Sequence, residues 1–278
     1  MPISVDALPQ VPGITPSPRT AAMLEAAIAG AHAIAALGGR HERDRLTLKG
    51  ARDFQTAADI ASERAIAAVL ASRFPGYAIE GEEETALAGS DGTGTFLVDP
   101  IDGTTNFAWG LPFFGICIAL VEAGETVAGV VLDPSLGEAF VAEKGLGSTL
   151  NGERLAITRS LAPEEALIAA SLPVPGQVRS VDVETYHRAL RSVMDTAAGM
   201  RRLGSAALSL CYVASSRHDA FFEDGLSPLD YAAAALVLTE AGGIVTGFGG
   251  APVDQRGAVL GANPALHAWL VSLLSNRA

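Results

Sequence analysis

The chain is poor in features that several protein classes require. Its 278 residues include only 2 cysteines, and no apolar run approaches the roughly 20 residues that a membrane-spanning helix needs. Cys117 and Cys211 lie far apart, each inside an apolar run, which favours buried free thiols over a disulfide or a metal site. The N-terminal segment lacks the basic and apolar regions of a signal peptide. We therefore expect a cytoplasmic protein with no membrane partner.

Basic residues are also scarce, which excludes one class of partner. The chain has 19 Lys and Arg against 31 Asp and Glu, a formal net charge of −12. Nucleic-acid binding needs clustered Lys and Arg to neutralise phosphates, so we expect no nucleic-acid partner. The acidic surplus is uneven, because four glutamates fall within residues 80–84. Such a cluster indicates either a solvated loop or a segment that binds cations.

Hydrophobic residues make up 49% of the chain, enough for a substantial interior. Their spacing predicts helices and strands that alternate along the chain, which is typical of layered α and β structure. The predicted helices are residues 20–37, 56–72, 186–196, 204–215, 227–241 and 264–274. The predicted strands are residues 77–79, 95–98, 167–171, 219–223 and 243–247, with an antiparallel meander over 113–143. Residues 1–18 are expected to form a loosely ordered lead-in. A boundary near residues 145–155 divides the rest of the chain into two subdomains, 19–150 and 151–278.

Two carboxylates lie close together where an apolar run ends, in the sequence FLVDPIDGTTN at residues 96–106. Pro100 lacks a backbone donor and is expected to stop the strand at Asp99. Asp102 suits a turn or a helix cap. With Asp99 and the Ile101 carbonyl, it equally suits a hard cation such as Mg²⁺. Amides after Gly103 that open a helix would face an anion, so this segment is compatible with phosphoryl transfer.

Two further acids allow both a structural and a functional interpretation. Asp230 follows Ser227 and Pro228 in a pattern typical of a capping box, and Asp59 follows Thr56 in the same way. Composition and spacing alone leave the choice between cap and ligand open.

Taken together, these segments resemble the inositol monophosphatase family, a group of metal-dependent, lithium-sensitive sugar phosphatases. The resemblance spans roughly residues 49–262. Five elements carry it: DPIDGTTNF at 99–107, Gly81-Glu82-Glu83, the trio Asp53, Thr56 and Asp59, Gly204-Ser205-Ala206, and Glu223 seven positions before Asp230. The second family signature is only partly kept, because Leu229 stands where the family has tryptophan.

The resemblance implies a fold and a metal site. The fold would be a five-layered αβαβα sandwich, usually assembled as a homodimer. Glu82, Asp99 and the Ile101 carbonyl would hold one Mg²⁺. Asp99, Asp102 and Asp230 would hold a second, and a third ion is common near Glu82 and Asp59.

The resemblance also implies catalytic and substrate-binding roles. Asp59, Thr104 and Glu82 would be catalytic, with Thr104 and Asp59 orienting a metal-activated water. The Gly103 and Thr104 amides would receive the phosphate. The residues expected to bind substrate or phosphate are Asp102, Gly103, Thr104, Gly204, Ser205, Ala206, Glu223 and Asp230.

The function expected from the resemblance is Mg²⁺-dependent hydrolysis of a small polyol or sugar phosphate, similar to inositol 1-phosphate. Histidinol phosphate and fructose 1,6-bisphosphate are alternative substrates. The Gly-Thr-Thr-Asn sequence disfavours adenosine bisphosphates, because the relatives that act on them usually carry Gly-Thr-Lys-Glu. A hypothesis of a different class is a cation-binding scaffold without turnover, motivated by the missing tryptophan.

Overall fold

A computed structural model describes residues 8, 17–37, 47–50, 53–90, 92–157, 159 and 161–275. The predicted lead-in therefore lies almost wholly outside the described residues. Within them the helices are α1 (Pro18–Ala36), α2 (Ala57–Arg73), α3 (Thr104–Ala108), α4 (Val183–Thr196), α5 (Ala206–Ala214), α6 (Pro228–Glu240) and α7 (Pro264–Leu274). The strands are β1 (Thr47–Gly50), β2 (Asp53–Gln55), β3 (Ala78–Gly81), β4 (Ala86–Leu87), β5 (Thr95–Asp102), β6 (Gly115–Glu122), β7 (Glu125–Asp133), β8 (Glu138–Glu143), β9 (Gly147–Leu150), β10 (Glu153–Arg154), β11 (Leu167–Ala170), β12 (Gly199–Arg201), β13 (Ala220–Glu223), β14 (Ile244–Thr246) and β15 (Val259–Ala262).

The strands form two main sheets and one separate hairpin. The large sheet has the order β10-β9-β8-β7-β6-β5-β3-β4 and is antiparallel except between β3 and β5. The small sheet has the order β12-β11-β13-β15-β14, with β11 parallel to both neighbours and β15 antiparallel to both. Strands β1 and β2 form the hairpin.

Both faces of each main sheet are covered by helices. Along β6, Ile116 and Ile118 pack in one core cluster with α1 and α2, whereas Cys117 and Ala119 pack in another with α5 and α6. The far side of the small sheet packs against α4 and α7. This alternation follows from the two-residue repeat of a strand. The five layers confirm the expected αβαβα sandwich.

The middle layer depends on small side chains. Three successive alanines of α6, Ala232, Ala233 and Ala234, are buried between the two sheets. A Cβ at Gly129 of β7 would lie 2.7 Å from the Ala233 carbonyl oxygen, so the helix and the strand touch backbone to backbone. The alanine-rich helix α6 is therefore part of the core.

One strand boundary differs from the expectation. Strand β5 does not stop at Asp99 but continues through Pro100 to Asp102. The register with β6 runs from Asp99 opposite Cys117 to Asp102 opposite Gly115, so β5 contains one extra residue. Such a bulge tolerates a proline because the extra residue is left out of the ladder. The short strands β12 and β15 were also not expected.

Other expectations concern thiols, membranes and domains. Cys117 and Cys211 are free and buried, as predicted, and burial raises the pKa of both thiols. Among the described residues, none of the helices combines the length and the apolar character that crossing a bilayer demands. The division into subdomains 19–150 and 151–278 stays a prediction.

His218 generates a prediction about stability and pH. This residue precedes β13, is 5% exposed, and its Nδ1 atom is buried without a hydrogen-bond partner. Burial, with a smaller effect of Arg201, lowers the pKa of His218 to about 4. The unfolded chain then takes up a proton at higher pH than the folded chain, because a free histidine titrates near ~6.5. His218 therefore destabilises the fold as the pH falls from about 7 towards 4.

The predicted effect can be measured by urea unfolding. As the pH falls from about 7.5 to 5, the wild type should lose about 2 kcal/mol more of its free energy of unfolding than His218→Gln loses. His187, which is exposed on α4, supplies the control, and His187→Gln should retain the wild-type dependence. Equal pH dependence in His218→Gln and wild type would contradict this prediction.

Candidate active site

Two parallel strands bring Glu82 and Asp99 together. In β3 and β5, Gly81 lies opposite Val98, so the residues that follow them are neighbours. The amide of Glu82 donates to the Val98 carbonyl at 3.0 Å. The bulge of β5 begins at Asp99, whose Oδ1 accepts the Ile101 amide at 2.9 Å. The sheet itself thus fixes the backbone beneath both carboxylates.

Asp99 lies at the centre of a group of like charges. It is 2% exposed. Burial raises the pKa of its carboxyl group well above the usual range, and repulsion from Glu82, Asp102 and Asp230 raises it further. Four carboxylates around one buried position are costly unless cations neutralise them. Their oxygen atoms are the ligands that Mg²⁺ prefers, so the donor chemistry fits a hard divalent cation.

The carboxylates of the described residues do not form a closed coordination shell. Within the part of the chain that the structure describes, no three acidic, histidine or cysteine side chains are grouped as a metal site. Asp102 and Asp230 accept hydrogen bonds from nearby amides, and the Ile101 carbonyl accepts the Thr104 hydroxyl at 3.0 Å. Each of these oxygen atoms has a further lone pair, so the hydrogen bonds fix the acceptor groups without excluding a cation.

Asp102 connects the large sheet to the start of α5. Its carboxylate accepts the Ser205 hydroxyl, the Ala207 amide at 2.8 Å and the Ala206 amide at 3.3 Å. Burial raises the pKa of Asp102 to about 7, although these hydrogen bonds lower it. The suggested cap of the following helix α3 was wrong, because Gly103 caps α3 without a side-chain bond. Asp102 instead accepts the first amides of α5, whose N-cap is Ser205, and so holds the start of α5 at the site.

Glycine is required where α3 meets the segment before α5. Gly103 has φ of +102°, and a Cβ there would lie 3.1 Å from the Gly204 carbonyl oxygen. Asn106, the asparagine of the signature, donates to the carbonyls of Phe113 and Leu203, both at 2.7 Å. Gly103 and Asn106 therefore hold the two segments in direct contact.

Thr104 and Asp59 are brought together as expected. The Thr104 hydroxyl lies 3.3 Å from Asp59 Oδ1, to which it can donate. Asp59 is buried, and its Oδ2 accepts the Thr56 amide at 2.7 Å and the Thr56 hydroxyl at 2.6 Å. Burial raises the pKa of Asp59 to about 7, and those two hydrogen bonds oppose the shift. Asp59 thus caps α2 and faces Thr104 at the same time. The Asp53 side chain lies outside the described residues.

Asp230 and Glu223 approach the site from the second half of the chain. Asp230 Oδ2 accepts the Ser227 amide at 2.7 Å in the expected capping box of α6. Glu223 ends β13 and accepts the Gln177 side-chain amide at 2.9 Å. Burial of the Glu223 carboxylate, together with repulsion from Asp230, raises its pKa to about 7.

Some of these groups line a cleft of about 300 Å³. The cleft is lined by all eight residues expected to bind substrate or phosphate: Asp102, Gly103, Thr104, Gly204, Ser205, Ala206, Glu223 and Asp230. The other four predicted site residues, Asp59, Glu82, Asp99 and Ile101, do not line it. The cleft therefore joins the α3 and α5 segments to the end of β13.

Several lining residues were missed by sequence reasoning. Phe54, Ser171 and Arg202 also line the cleft. Ser171 directly follows β11, and a polar residue at a strand end was the available signal for it. Arg202 lies two residues before Gly204, inside a segment whose motif drew attention only to residues 204–206. Phe54, in the hairpin strand β2, carries no such signal.

The acidic cluster at residues 80–84 divides into exposed and partly buried members. Glu80 and Glu84 are exposed, as expected for solvated residues, and Glu84 pairs with Arg64 at 2.8 Å. Glu82 and Glu83 are partly buried, and Glu83 accepts a hydrogen bond from the Gln55 side chain. Only the middle of the cluster therefore faces the interior.

Comparisons with known proteins identify the family to which the chain belongs. The sequence model of the inositol monophosphatase family matches residues 16–278. Inositol-1-monophosphatase from Mesorhizobium japonicum is 37% identical over 250 residues, which are 90% of this chain and 93% of that protein. Nus factor SuhB from Pseudomonas aeruginosa is 43% identical over 205 residues, 73% of this chain and 75% of that protein.

A solved structure shows the same fold. The crystal structure of extragenic suppressor protein SuhB from Bartonella henselae has a TM-score of 0.88 at 35% identity. The match covers 94% of this chain and 100% of that chain. Sequence and structure thus agree over nearly the whole length, and the chain belongs to the inositol monophosphatase family.

Proposed function

We propose that the chain is a Mg²⁺-dependent phosphomonoesterase that hydrolyses a small polyol or sugar phosphate of the inositol 1-phosphate kind. The observation that carries this proposal is the buried Asp99 carboxylate among three further carboxylates. Relatives named inositol-1-monophosphatase support the substrate class. A homodimeric state, a cytoplasmic location and sensitivity to lithium follow from the family resemblance and belong to the same proposal.

The proposal assigns the acidic residues to metal binding. Glu82, Asp99 and the Ile101 carbonyl would hold one Mg²⁺. Asp99 would also act with Asp102 and Asp230 to hold a second, and a third could lie near Glu82 and Asp59. Bound Mg²⁺ lowers the pKa of water and neutralises charge on the phosphate and the leaving oxygen.

Thr104 and Asp59 would orient the attacking water. When the Thr104 hydroxyl donates its hydrogen to Asp59 and not to the Ile101 carbonyl, its oxygen would accept a hydrogen bond from the water. Glu82 completes the predicted catalytic group. Water would attack phosphorus directly, release the alcohol and leave inorganic phosphate, with no covalent phosphoenzyme.

Residues on the other walls of the cleft would bind the ester. The Gly103 and Thr104 amides would receive the phosphate, with Asp102 and Asp230 beside it. Residues 204–206 and Glu223 would contact the hydroxyl groups of the alcohol. Glu223 suits this role because a carboxylate accepts hydrogen bonds from hydroxyl groups.

A second candidate is a cation-binding scaffold without turnover. Relatives named Nus factor SuhB favour it, because that name describes a factor and not a phosphatase. The replacement of the family tryptophan by Leu229 is the motivation from this chain itself. The two candidates differ in whether any phosphate ester is hydrolysed.

A panel of phosphate esters distinguishes the candidates. With Mg²⁺, we expect release of phosphate from inositol 1-phosphate, and the panel also includes histidinol phosphate, fructose 1,6-bisphosphate and p-nitrophenyl phosphate. EDTA should abolish the release. Asp99→Asn should lower the rate by about 100-fold or more, because it removes a charged donor worth several kcal/mol at the reacting centre.

Glu84→Gln provides the matched control, because it removes an exposed carboxylate near the site and should leave the rate unchanged. Robust turnover by Asp99→Asn would contradict the assigned mechanism. Release from none of the esters would support the scaffold.

The same substitution should change stability without substrate. In EDTA at about pH 8, Asp99→Asn should raise the free energy of unfolding by about 1–3 kcal/mol, because a buried charge with unmet electrostatic cost is removed. The pKa of Asp99 is raised by burial and by repulsion from Glu82, and a group whose folded pKa is raised lowers stability increasingly as the pH rises. The gain should therefore shrink as the pH falls and the wild-type carboxyl takes up a proton.

Urea unfolding with and without Mg²⁺ measures both effects. Mg²⁺ should stabilise the wild type and should stabilise Asp99→Asn much less. A variant less stable than the wild type in EDTA would show that the hydrogen bonds of the Asp99 carboxylate outweigh the repulsion around it.

A further inference from the structure

Glu63 is a buried carboxylate that has no role in the proposed mechanism. It lies on α2, one helical turn after Asp59, and is 1% exposed. Its Oε2 accepts the Glu83 amide at 2.7 Å, and its Oε1 accepts the amides of Glu84 and Thr85 at 2.8 and 2.6 Å. Three successive amides thus surround one carboxylate, as in backbone sites that bind anions.

The same carboxylate explains the glycine before Glu82. A Cβ at Gly81 would lie 2.3 Å from Glu63 Oε2. Gly81 is therefore required for space and not for an unusual φ. The Glu82 backbone is fixed on both sides, because its amide bonds to Val98 of β5 and the next amide bonds to Glu63.

We propose that Glu63 is a positioning residue that fixes Glu82 for divalent-cation binding. This inference rests on the proposed function, in which Glu82 is a metal ligand. Glu63 acts through the backbone of residues 83–85 and does not itself contact the cation. Helix α2 then supports the site twice, through Asp59 and through Glu63.

The test is Mg²⁺ binding measured by calorimetry on the whole chain without substrate. In Glu63→Gln, the side-chain NH₂ meets backbone donors, so at least one of the three bonds is lost. We expect Mg²⁺ to bind about tenfold more weakly, the usual effect of losing support for a metal ligand. Gly81→Ala disturbs the same contact from the other side and should have the same effect.

Glu84→Gln is the matched control, because it removes a charge from the same loop but leaves the Glu63 bonds intact. Unchanged Mg²⁺ affinity in a folded Glu63→Gln or Gly81→Ala protein overturns the proposal. An equal loss in Glu84→Gln also overturns it, because net charge would then explain the effect. A wild type that binds no Mg²⁺ contradicts the proposed function itself.

A separate observation concerns the loop that follows β11, residues 171–182. Asp224, which is 1% exposed, accepts the amides of Arg179 and Ser180 and the Ser180 hydroxyl, each at 2.8 Å. The Ser171 carbonyl accepts the Tyr186 hydroxyl at 3.1 Å. The loop is therefore held against the end of β13, beside Glu223.

Gln177 connects this loop to Glu223 with a defined orientation. Its side-chain oxygen accepts the Val174 amide at 3.1 Å, which leaves the NH₂ group to donate to Glu223 Oε1 at 2.9 Å. A Cβ at Gly225 would lie 2.7 Å from the Gln177 carbonyl oxygen, so the two segments are in close contact. Ser171 also bonds to the Glu223 carboxylate.

We further propose that Gln177 is a positioning residue for substrate specificity. It holds the Glu223 carboxylate so that its remaining lone pairs face the cleft and accept hydroxyl groups of a polyhydroxylated ester. This inference also rests on the proposed function. It predicts that Gln177 matters for esters that carry hydroxyl groups and not for esters that lack them.

The test compares inositol 1-phosphate with p-nitrophenyl phosphate, which has no hydroxyl group for Glu223. In Gln177→Leu, kcat/KM for inositol 1-phosphate should fall about tenfold, mainly through KM, as expected for losing a hydrogen bond to a charged group. The value for p-nitrophenyl phosphate should change by less than about twofold. Combined with Glu223→Gln, Gln177→Leu should add little further loss.

Arg179→Ala is the matched control in the same loop, because its backbone bond to Asp224 is retained and its side chain is exposed. Equal falls for both esters would mean a purely structural role and overturn the proposal, as would no change for either. A wild type that hydrolyses neither ester contradicts the proposed function instead.

Discussion

Electrostatic repulsion at Asp99 is the constraint on which the rest of the site depends. A fold that holds four carboxylates near one buried position must fix each of them against that repulsion. It does so mainly with backbone amides: Asp99 is bonded by Ile101, Asp102 by the first amides of α5, and Asp230 by Ser227. Because these bonds are made by turns and helix ends, capping and cation binding are not alternatives here. The caps orient the acids that a cation would use.

Much of the fold could be predicted from the sequence, because its core is built on simple repeats. The helix 264–274 and the meander over 113–143 were placed correctly, since both have clear periodicity and turn residues at their ends. The continuation of β5 past Pro100 could not be predicted, because local chemistry stops a strand at proline and only pairing with β6 carries it further. Strands β12 and β15 were not predicted, and their pairing with neighbouring strands of the small sheet defines them.

The predicted site residues came from motifs, and the missed ones came from packing. Glu82, Asp99, Asp102 and Asp230 are distinctive in sequence because each stands in a short motif with a characteristic spacing. Glu63 and Gln177 are not distinctive, since a glutamate in a helix and a glutamine in a loop are common. Their partners, the amides of residues 83–85 and the Glu223 carboxylate, become adjacent only when the layers assemble. Even Gly81 was recognised as part of a motif before the contact with Glu63 explained it.

The acidic residues and the residues proposed to bind the alcohol are therefore held in place by different kinds of hydrogen bond. Position 229 illustrates the difference. Asp99, Asp102 and Asp230 accept bonds mainly from backbone amides, which a change in the donor's own side chain leaves intact. At position 229 the bond to the Ser227 hydroxyl is made by the backbone amide, at 3.2 Å, so leucine in place of tryptophan preserves the cap that orients Asp230. The proposed substrate side depends on side chains instead, because Gln177 and Glu223 bond to each other through theirs. Leucine at position 229 therefore leaves the backbone bond to Ser227 in place, whereas a change at Gln177 would remove a bond to Glu223.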